Sequence, residues 1–138
     1  MTEPTDFNQR IIEEFRSNEG RVGGPFEGAP LLLLSSTGAK TGRKHTTPVM
    51  YLQDGDRLVI FASKAGAPSH PAWYHNLVAN PQASVEVGTE SFPVTATEVK
   101  GEERNRLYDR QASLYPGFRD YQDKTSRVIP VIALTRTG

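Results

Sequence analysis

Thr46-Thr47-Pro48-Val49-Met50-Tyr51-Leu52-Gln53 runs into Asp54-Gly55 and then, after Asp56, into Arg57-Leu58-Val59-Ile60-Phe61-Ala62. The first run is rich in β-branched and bulky apolar residues, the second is short and apolar, and turn-forming residues part them, which reads as a β-hairpin. Upstream, Leu31-Leu32-Leu33-Leu34 after Pro30 is a continuous apolar run and a further strand. Downstream, Ala83 to Val87 and Glu90 to Thr97 flank Gly88-Thr89, with Phe92, Val94 and Ala96 alternating as in a second hairpin. Val128 to Leu134 closes the set, and Pro130 there argues for a strand start, a bulge or an edge.

Helical spacing is confined to the segments between strands. Asp6 with Gln9 suits a capping box, opening an amphipathic helix over residues 6–18 that carries Phe7, Ile11, Ile12 and Phe15. Pro71 fits a first helical position with Ser69 or His70 as cap, and Trp73/Leu77 and Tyr74/Val78 are four-apart pairs before Asn80-Pro81 stops the helix. Glu102 to Tyr115 places Leu107, Gln111, Leu114 and Tyr115 near one stripe, Pro116-Gly117 breaks it, and a short turn with Phe118 and Tyr121 follows. Hairpins with few helices and no βαβ alternation favour a small barrel over a doubly wound sheet, in a single domain over residues 1–138.

Charge and composition narrow the function. Sixteen basic and sixteen acidic side chains cancel, so no general field draws the chain to nucleic acid or an anionic membrane, and any electrostatic role is local. The absence of Cys removes thiolate nucleophiles, iron–sulfur ligation and Cys-based zinc sites, and suits a reducing cytosol. The start Met1-Thr2-Glu3-Pro4-Thr5-Asp6 has no basic or apolar leader region, and no run approaches the roughly 20 apolar residues of a membrane helix. A cytoplasmic location is expected, peripheral to a membrane if the substrate lies in one.

Local charge gathers in two loops. Thr37-Gly38-Ala39-Lys40-Thr41-Gly42-Arg43-Lys44-His45 joins two strands, and its glycines expose backbone N–H groups beside three cations, a composition suited to phosphate. A solvated hairpin turn is the alternative. It is no P-loop, because only three residues separate Gly38 from Gly42 and a strand follows. Ser63-Lys64-Ala65-Gly66-Ala67-Pro68-Ser69-His70-Pro71 leads into a helix start, which attracts anions, although an ordinary cap would read the same. Together the two loops could grip one polyanion. Ala72-Trp73-Tyr74-His75-Asn76 beside them offers an aromatic wall for a planar ring, or simply core. The loop Arg21–Gly28 is a candidate ligand entrance. His45, His70 and His75 lack a His-Glu-x-x-His pattern, and no Gly-x-Ser-x-Gly elbow surrounds a serine, so neither metal nor hydrolase chemistry is indicated. Tyr115, Phe118 and Tyr121 form either a lid over a substrate or packing.

Read together, Gly28-Ala29-Pro30 with the leucine run, Thr37 to Gly42, Ala62-Ser63-Lys64, His70 to Leu77 and Arg127-Val128-Ile129-Pro130-Val131 resemble the deazaflavin-dependent nitroreductase family, also called the coenzyme F-420-dependent quinone reductases. The likeness runs from Phe7 to Leu134 and is most specific in the two loops. It implies a split β-barrel of the FMN-binding type, with about six antiparallel strands and three or four peripheral helices. It also implies hydride transfer from reduced coenzyme F-420, whose tail is anionic, to a quinone, nitroaromatic or activated enone. By the resemblance, Ala39, Lys40 and Thr41 touch the phosphate-bearing side chain, and His45 through Met50, Pro48 above all, run along the ring. Ser63 and Lys64 contact phosphate and ring oxygens, and Ala72, Trp73, Tyr74 and Asn76 form the other wall. His45 and Ala39 stand where some members carry Arg. Tyr115 and Tyr121 match aromatic positions of the family and are candidate proton donors. Phe118 is a candidate acceptor contact and falls where a nitroimidazole-activating member carries Tyr, so that activity is not implied. An FMN-dependent oxidoreductase of the same architecture and a non-catalytic flavin or deazaflavin binder are the rival readings. Monomer and homodimer both stay open.

Overall fold

Alternation along each strand sorts the apolar residues onto two faces, and both faces find cover. The computed structural model describes residues 4–20, 30–63, 66 and 70–137; the loop Arg21–Gly28 and the residues Lys64 and Ser69 lie outside them. The elements are α1 (Pro4–Ser17), β1 (Leu31–Thr37), β2 (Lys44–Asp54), β3 (Arg57–Phe61), α2 (Ala72–Ala79), β4 (Gln82–Val87), β5 (Glu90–Val99), α3 (Gly101–Leu114), α4 (Gly117–Asp123) and β6 (Val131–Arg136). The strands close in the order β1-β2-β3-β6-β5-β4, each neighbouring pair antiparallel, with β4 returning to β1 through Leu34↔Val85. The expected barrel of about six antiparallel strands with peripheral helices is what the chain forms.

Inside the barrel, Leu32 and Leu34 meet Leu58, Ile60, Val85, Val94, Ile132 and Leu134, and Trp73 and Leu77 of α2 plug one end. Outside, Leu31 and Leu33 lie under Ile11, Ile12 and Phe15 of α1. Val59, Phe61, Val131 and Ala133 lie under Leu107, Tyr108 and Ala112 of α3 and Phe118 of α4. This double cover explains the unbroken leucine run, because a strand buried on both faces cannot alternate with polar residues. Each such side chain contributes about 1.5–3 kcal/mol of hydrophobic stabilisation. Met50 packs at the seam between the α1 and α3 layers.

Both hairpin turns carry glycine first, Gly55 and Gly88 at φ 59°, a backbone region that side chains avoid. Pro48 pairs with Leu33 of β1, whereas pairing of β2 with β3 begins only at Tyr51, so its missing N–H breaks no ladder on that side. Pro130 immediately precedes β6, which starts three residues later than the sequence reading placed it.

Several boundaries differ from expectation. Asp6 is inside α1, which begins at Pro4, and Gln9 Nε2 donates forward to Glu13 Oε1 at 3.4 Å, so the capping box is not formed. Pro71 is the N-cap of α2, not its first helical residue. The turn with Phe118 and Tyr121 is a helix, α4. On α3 the buried stripe is Leu107, Tyr108, Gln111 and Ala112, while Leu114, the last residue of the helix and at the edge of that face, is 59% exposed. Val78 likewise points outward, leaving Trp73 and Leu77 as the buried pair of α2. No helix among the described residues is long and apolar enough to cross a membrane.

Candidate functional site

The β1–β2 connection folds back on itself and is pinned to α2. Gly38 N–H donates to the Arg43 carbonyl at 2.7 Å, Gly42 N–H to the Gly38 carbonyl at 3.0 Å, and Arg43 N–H to Thr41 Oγ1 at 3.2 Å. Ala39 N–H then reaches across 37 positions to Asn76 Oδ1 at 3.0 Å. The other end of that buried amide, Nδ2, donates to Ser36 Oγ at 3.4 Å. The loop is close-fitting: a Cβ at Gly38 would stand 2.7 Å from Thr41 Oγ1 and 2.9 Å from His45 Nε2.

Between this loop and α2 lies an open cavity of about 450 Å³, walled by Gly38, Ala39, Lys40, Thr41, His45, Thr47, Ala72, Trp73, His75 and Asn76. Among the described residues no carboxylate lines it. The Lys40 side chain and the rings of His45 and His75 are exposed at its rim, while Trp73 and Asn76 are buried in its floor. The start of α2 has neither a side-chain cap nor an acidic residue in its first turn, so its N–H groups and dipole face the cavity without a protein counter-charge. These features fit an anionic ligand with a flat group against the Trp73 wall.

Ser63 and His70, described residues at the two ends of the second basic loop, are both held by Arg127 near the start of α2. Arg127 donates to the Ala62 carbonyl at 3.1 Å and to the Ser63 carbonyl at 2.8 Å, and its guanidinium stands 3.0 Å from His70 Nδ1. Burial, then the charge of Arg127 and then His75, hold His70 below the usual imidazole range. An arginine can only donate, so in this contact Nδ1 accepts and the ring proton sits on Nε2. Tyr74 stacks at a tilt on His70, 4.6 Å between centroids, and donates its hydroxyl to Glu98 at 2.7 Å. Burial and that bond push the Tyr74 phenol up to about 12.

The structure thus brings Ala39, Lys40, Thr41, His45, Ala72, Trp73 and Asn76 to one cavity, as expected. It does not bring Pro48, Met50, Ser63 or Tyr74 into that wall. Strand alternation is the reason for Pro48 and Met50: His45 and Thr47 share one face of β2, and Pro48 and Met50 take the other. Lys64 lies outside the described residues. Phe118 is buried, edge-on to Phe61 at 5.8 Å and to Tyr121 at 5.2 Å, and Tyr108 donates to the Phe118 carbonyl at 2.6 Å. Tyr115 and Tyr121 are half-buried against the same cluster, away from the cavity. Thr47, within the His45–Met50 run, and His75, within the Ala72–Asn76 stretch, also line the cavity; their spacing from His45 on a strand and from Ala72 on a helix places them on the same faces. Arg127 drew no attention as a functional residue, because nothing local marks a side chain whose partners are 57 to 65 positions away.

A family model described as F420H(2)-dependent quinone reductase matches residues 8–136. An F420H(2)-dependent quinone reductase of Mycobacterium tuberculosis is 45% identical over 129 residues, 88% of this chain and 85% of that protein. The structure of an F420-H2 dependent reductase, FDR-A, aligns with a TM-score of 0.70 at 42% identity, over 76% of this chain and 93% of that one. The heme storage protein HutZ of Vibrio cholerae, at 16% identity and a TM-score of 0.59 over 95% of this chain and 91% of its own, shares the fold alone.

Proposed function

The chain belongs to the F420H(2)-dependent quinone reductase family, and on that premise we propose that it reduces a quinone with F-420H2, anchoring the coenzyme's anionic tail in the cavity between the β1–β2 loop and α2. One observation supports this above the others. The Ala39–Asn76 hydrogen bond joins the basic loop to an uncapped helix start around a cavity that no carboxylate lines among the described residues. Lys40 then supplies a mobile charge, the Gly38–Thr41 backbone and the start of α2 supply N–H donors, and Trp73 supplies an apolar wall. His45 and Thr47 border the same space from β2.

When bound, the reduced deazaflavin supplies the hydride. The residues of this chain bind, orient and exclude water, and neither a nucleophile nor a metal is required of them. Ser63 and Lys64 extend the anchoring past β3. The tail-anchoring cavity does not reach Tyr115, Phe118 and Tyr121, so the acceptor side assigned to them lies beyond it, at the ring end of the coenzyme, where a quinone takes up a hydride and a proton to become a hydroquinone. Tyr115 or Tyr121 lends that proton, and Tyr74, held by Glu98, does not. A quinone is the acceptor this reading favours, with nitroaromatics and enones as further electrophiles.

A fluorescence titration comparing F-420 with FMN tests the binding site, followed by anaerobic oxidation of F-420H2 with a soluble quinone, a nitroaromatic and an enone. Binding of F-420 with acceptor-dependent oxidation, fastest for the quinone, is expected. Tight FMN binding with no F-420 affinity overturns the reading, and F-420 binding without turnover leaves only a carrier.

A further inference from the structure

We propose that Arg127 is a positioning residue for coenzyme binding, clamping the end of β3 to the foot of α2 and so fixing the start of the helix that walls the cavity; this rests on the functional reading above. The β3–β6 ladder ends at Phe61↔Val131, followed by one more bond from Ala62 N–H to the Pro130 carbonyl at 3.0 Å. Past that point the Ala62 and Ser63 carbonyls have no partner strand among the described residues. The Arg127 guanidinium takes the place of one, donating to both, and Ser63 also accepts from Gly66 N–H at 2.9 Å. The same group reaches His70 Nδ1, one residue before the α2 N-cap. The guanidinium divides these partners between two nitrogens held at a fixed spacing, a span that an ammonium, with its three donors on one atom, does not match.

Arg127 is itself held from the far side. Its N–H donates to Thr125 Oγ1 at 3.3 Å, and its carbonyl accepts from Gln122 Nε2 at 2.7 Å. Gln122 Oε1 in turn accepts from Arg104 at 2.6 Å and from Ile129 N–H at 3.1 Å. Through α4 the clamp therefore ties the aromatic helix to the cavity side. Gly66 adds a second tie, because a Cβ there would stand 2.8 Å from the Tyr121 carbonyl oxygen.

The contact with His70 makes the clamp sensitive to pH. Arg127, His75, Glu98 and the Tyr74 ring face the imidazole, and only Glu98 favours its protonation. A proton on Nδ1 turns a charge-assisted bond into two facing cations. The clamp then opens at the α2 end while the carbonyl bonds remain.

The test compares wild type with Arg127→Met and Arg127→Lys by F-420 fluorescence titration between about pH 5 and 8, alongside an NMR titration of the His70 ring. Arg127→Met is expected to bind F-420 about tenfold more weakly, with Arg127→Lys recovering part of the loss. Wild-type affinity falls as His70 protonates; Arg127→Met loses that step, and its His70 titrates at higher pH. Affinity within twofold of wild type, or a loss with His70 titration and pH profile both unchanged, overturns the clamp. If Arg127→Met does not fold, His70→Ala decides, since a pH step surviving in it overturns the proposal. Should wild type bind no F-420, the functional reading fails, and the clamp then stands or falls on whether the His70 titration differs between wild type and Arg127→Lys.

Discussion

Asn76 Oδ1 accepts the Ala39 N–H at 3.0 Å, a single bond that joins the turn after β1 to the second turn of α2. Asn76 is buried, its Nδ2 faces Ser36, and the helix that carries it plugs the barrel with Trp73 and Leu77. The loop therefore takes its position from the core.

Asn76→Leu removes both bonds and frees the loop, with an expected stability loss of about 1–2 kcal/mol. F-420 affinity should fall about tenfold, equivalent to about 1.4 kcal/mol. Asn76→Asp keeps the acceptor for Ala39 but puts a negative charge on the cavity wall, so binding should fall further while stability falls less. Denaturant melts and fluorescence titrations of the two variants check the order. The reverse order on affinity would remove the anion from this cavity.

Lys40 is exposed and its effect is electrostatic. Lys40→Ala should leave stability within about 0.5 kcal/mol. F-420 binding should weaken several-fold in dilute buffer, and the difference should shrink as salt screens the contact. A deficit that is the same at low and high salt would rule out charge as the cause.

Gln111 is fully buried on α3, and neither end of its side-chain amide finds a hydrogen-bond partner among the described residues. Burying an unpaired amide costs about 1–3 kcal/mol, whereas an apolar side chain of similar shape pays no such penalty. Gln111→Met is expected to raise stability by about 1 kcal/mol, seen as a melting temperature a few degrees higher. A lower melting temperature would show that the amide is satisfied in solution.

Asp54 closes the β2–β3 turn under Arg57, with Arg106 at 3.7 Å and Arg110 at 3.7 Å. The hydrogen bond from Arg57 holds its carboxyl below the usual carboxylate range, against the smaller upward push of desolvation, and the charges of Arg57, Arg106 and Arg110 add to the lowering. The unfolded chain therefore binds this proton more readily than the folded one. The contribution is complete above the unfolded value of about 4 and is lost as pH falls through the lower folded value. Asp54→Asn should flatten the acid limb of the stability–pH curve and leave its shape near neutrality unchanged, which acid-titrated melts would read directly.

Much of this was written locally. Alternating apolar residues, the Asp54-Gly55 and Gly88-Thr89 turns and the glycine- and lysine-bearing Thr37 loop depend on neighbours a few positions away, so strands, hairpins and the basic loop were legible. The stripe on α3 was only half legible. Leu114 and Tyr108 both fit a helical period, and which of them is buried depends on where the barrel surface lies.

The sequence by itself determined the strand set, the hairpin turns and the residue types of an anion-and-ring site, because period and turn chemistry are properties of short segments. Tertiary structure alone decided that β1 meets β4, that Asn76 ties the loop to α2, and that Arg127 reaches Ala62, Ser63 and His70. Those relations join positions far apart in the chain, and they exist only once closing the barrel has brought their backbones within hydrogen-bond reach.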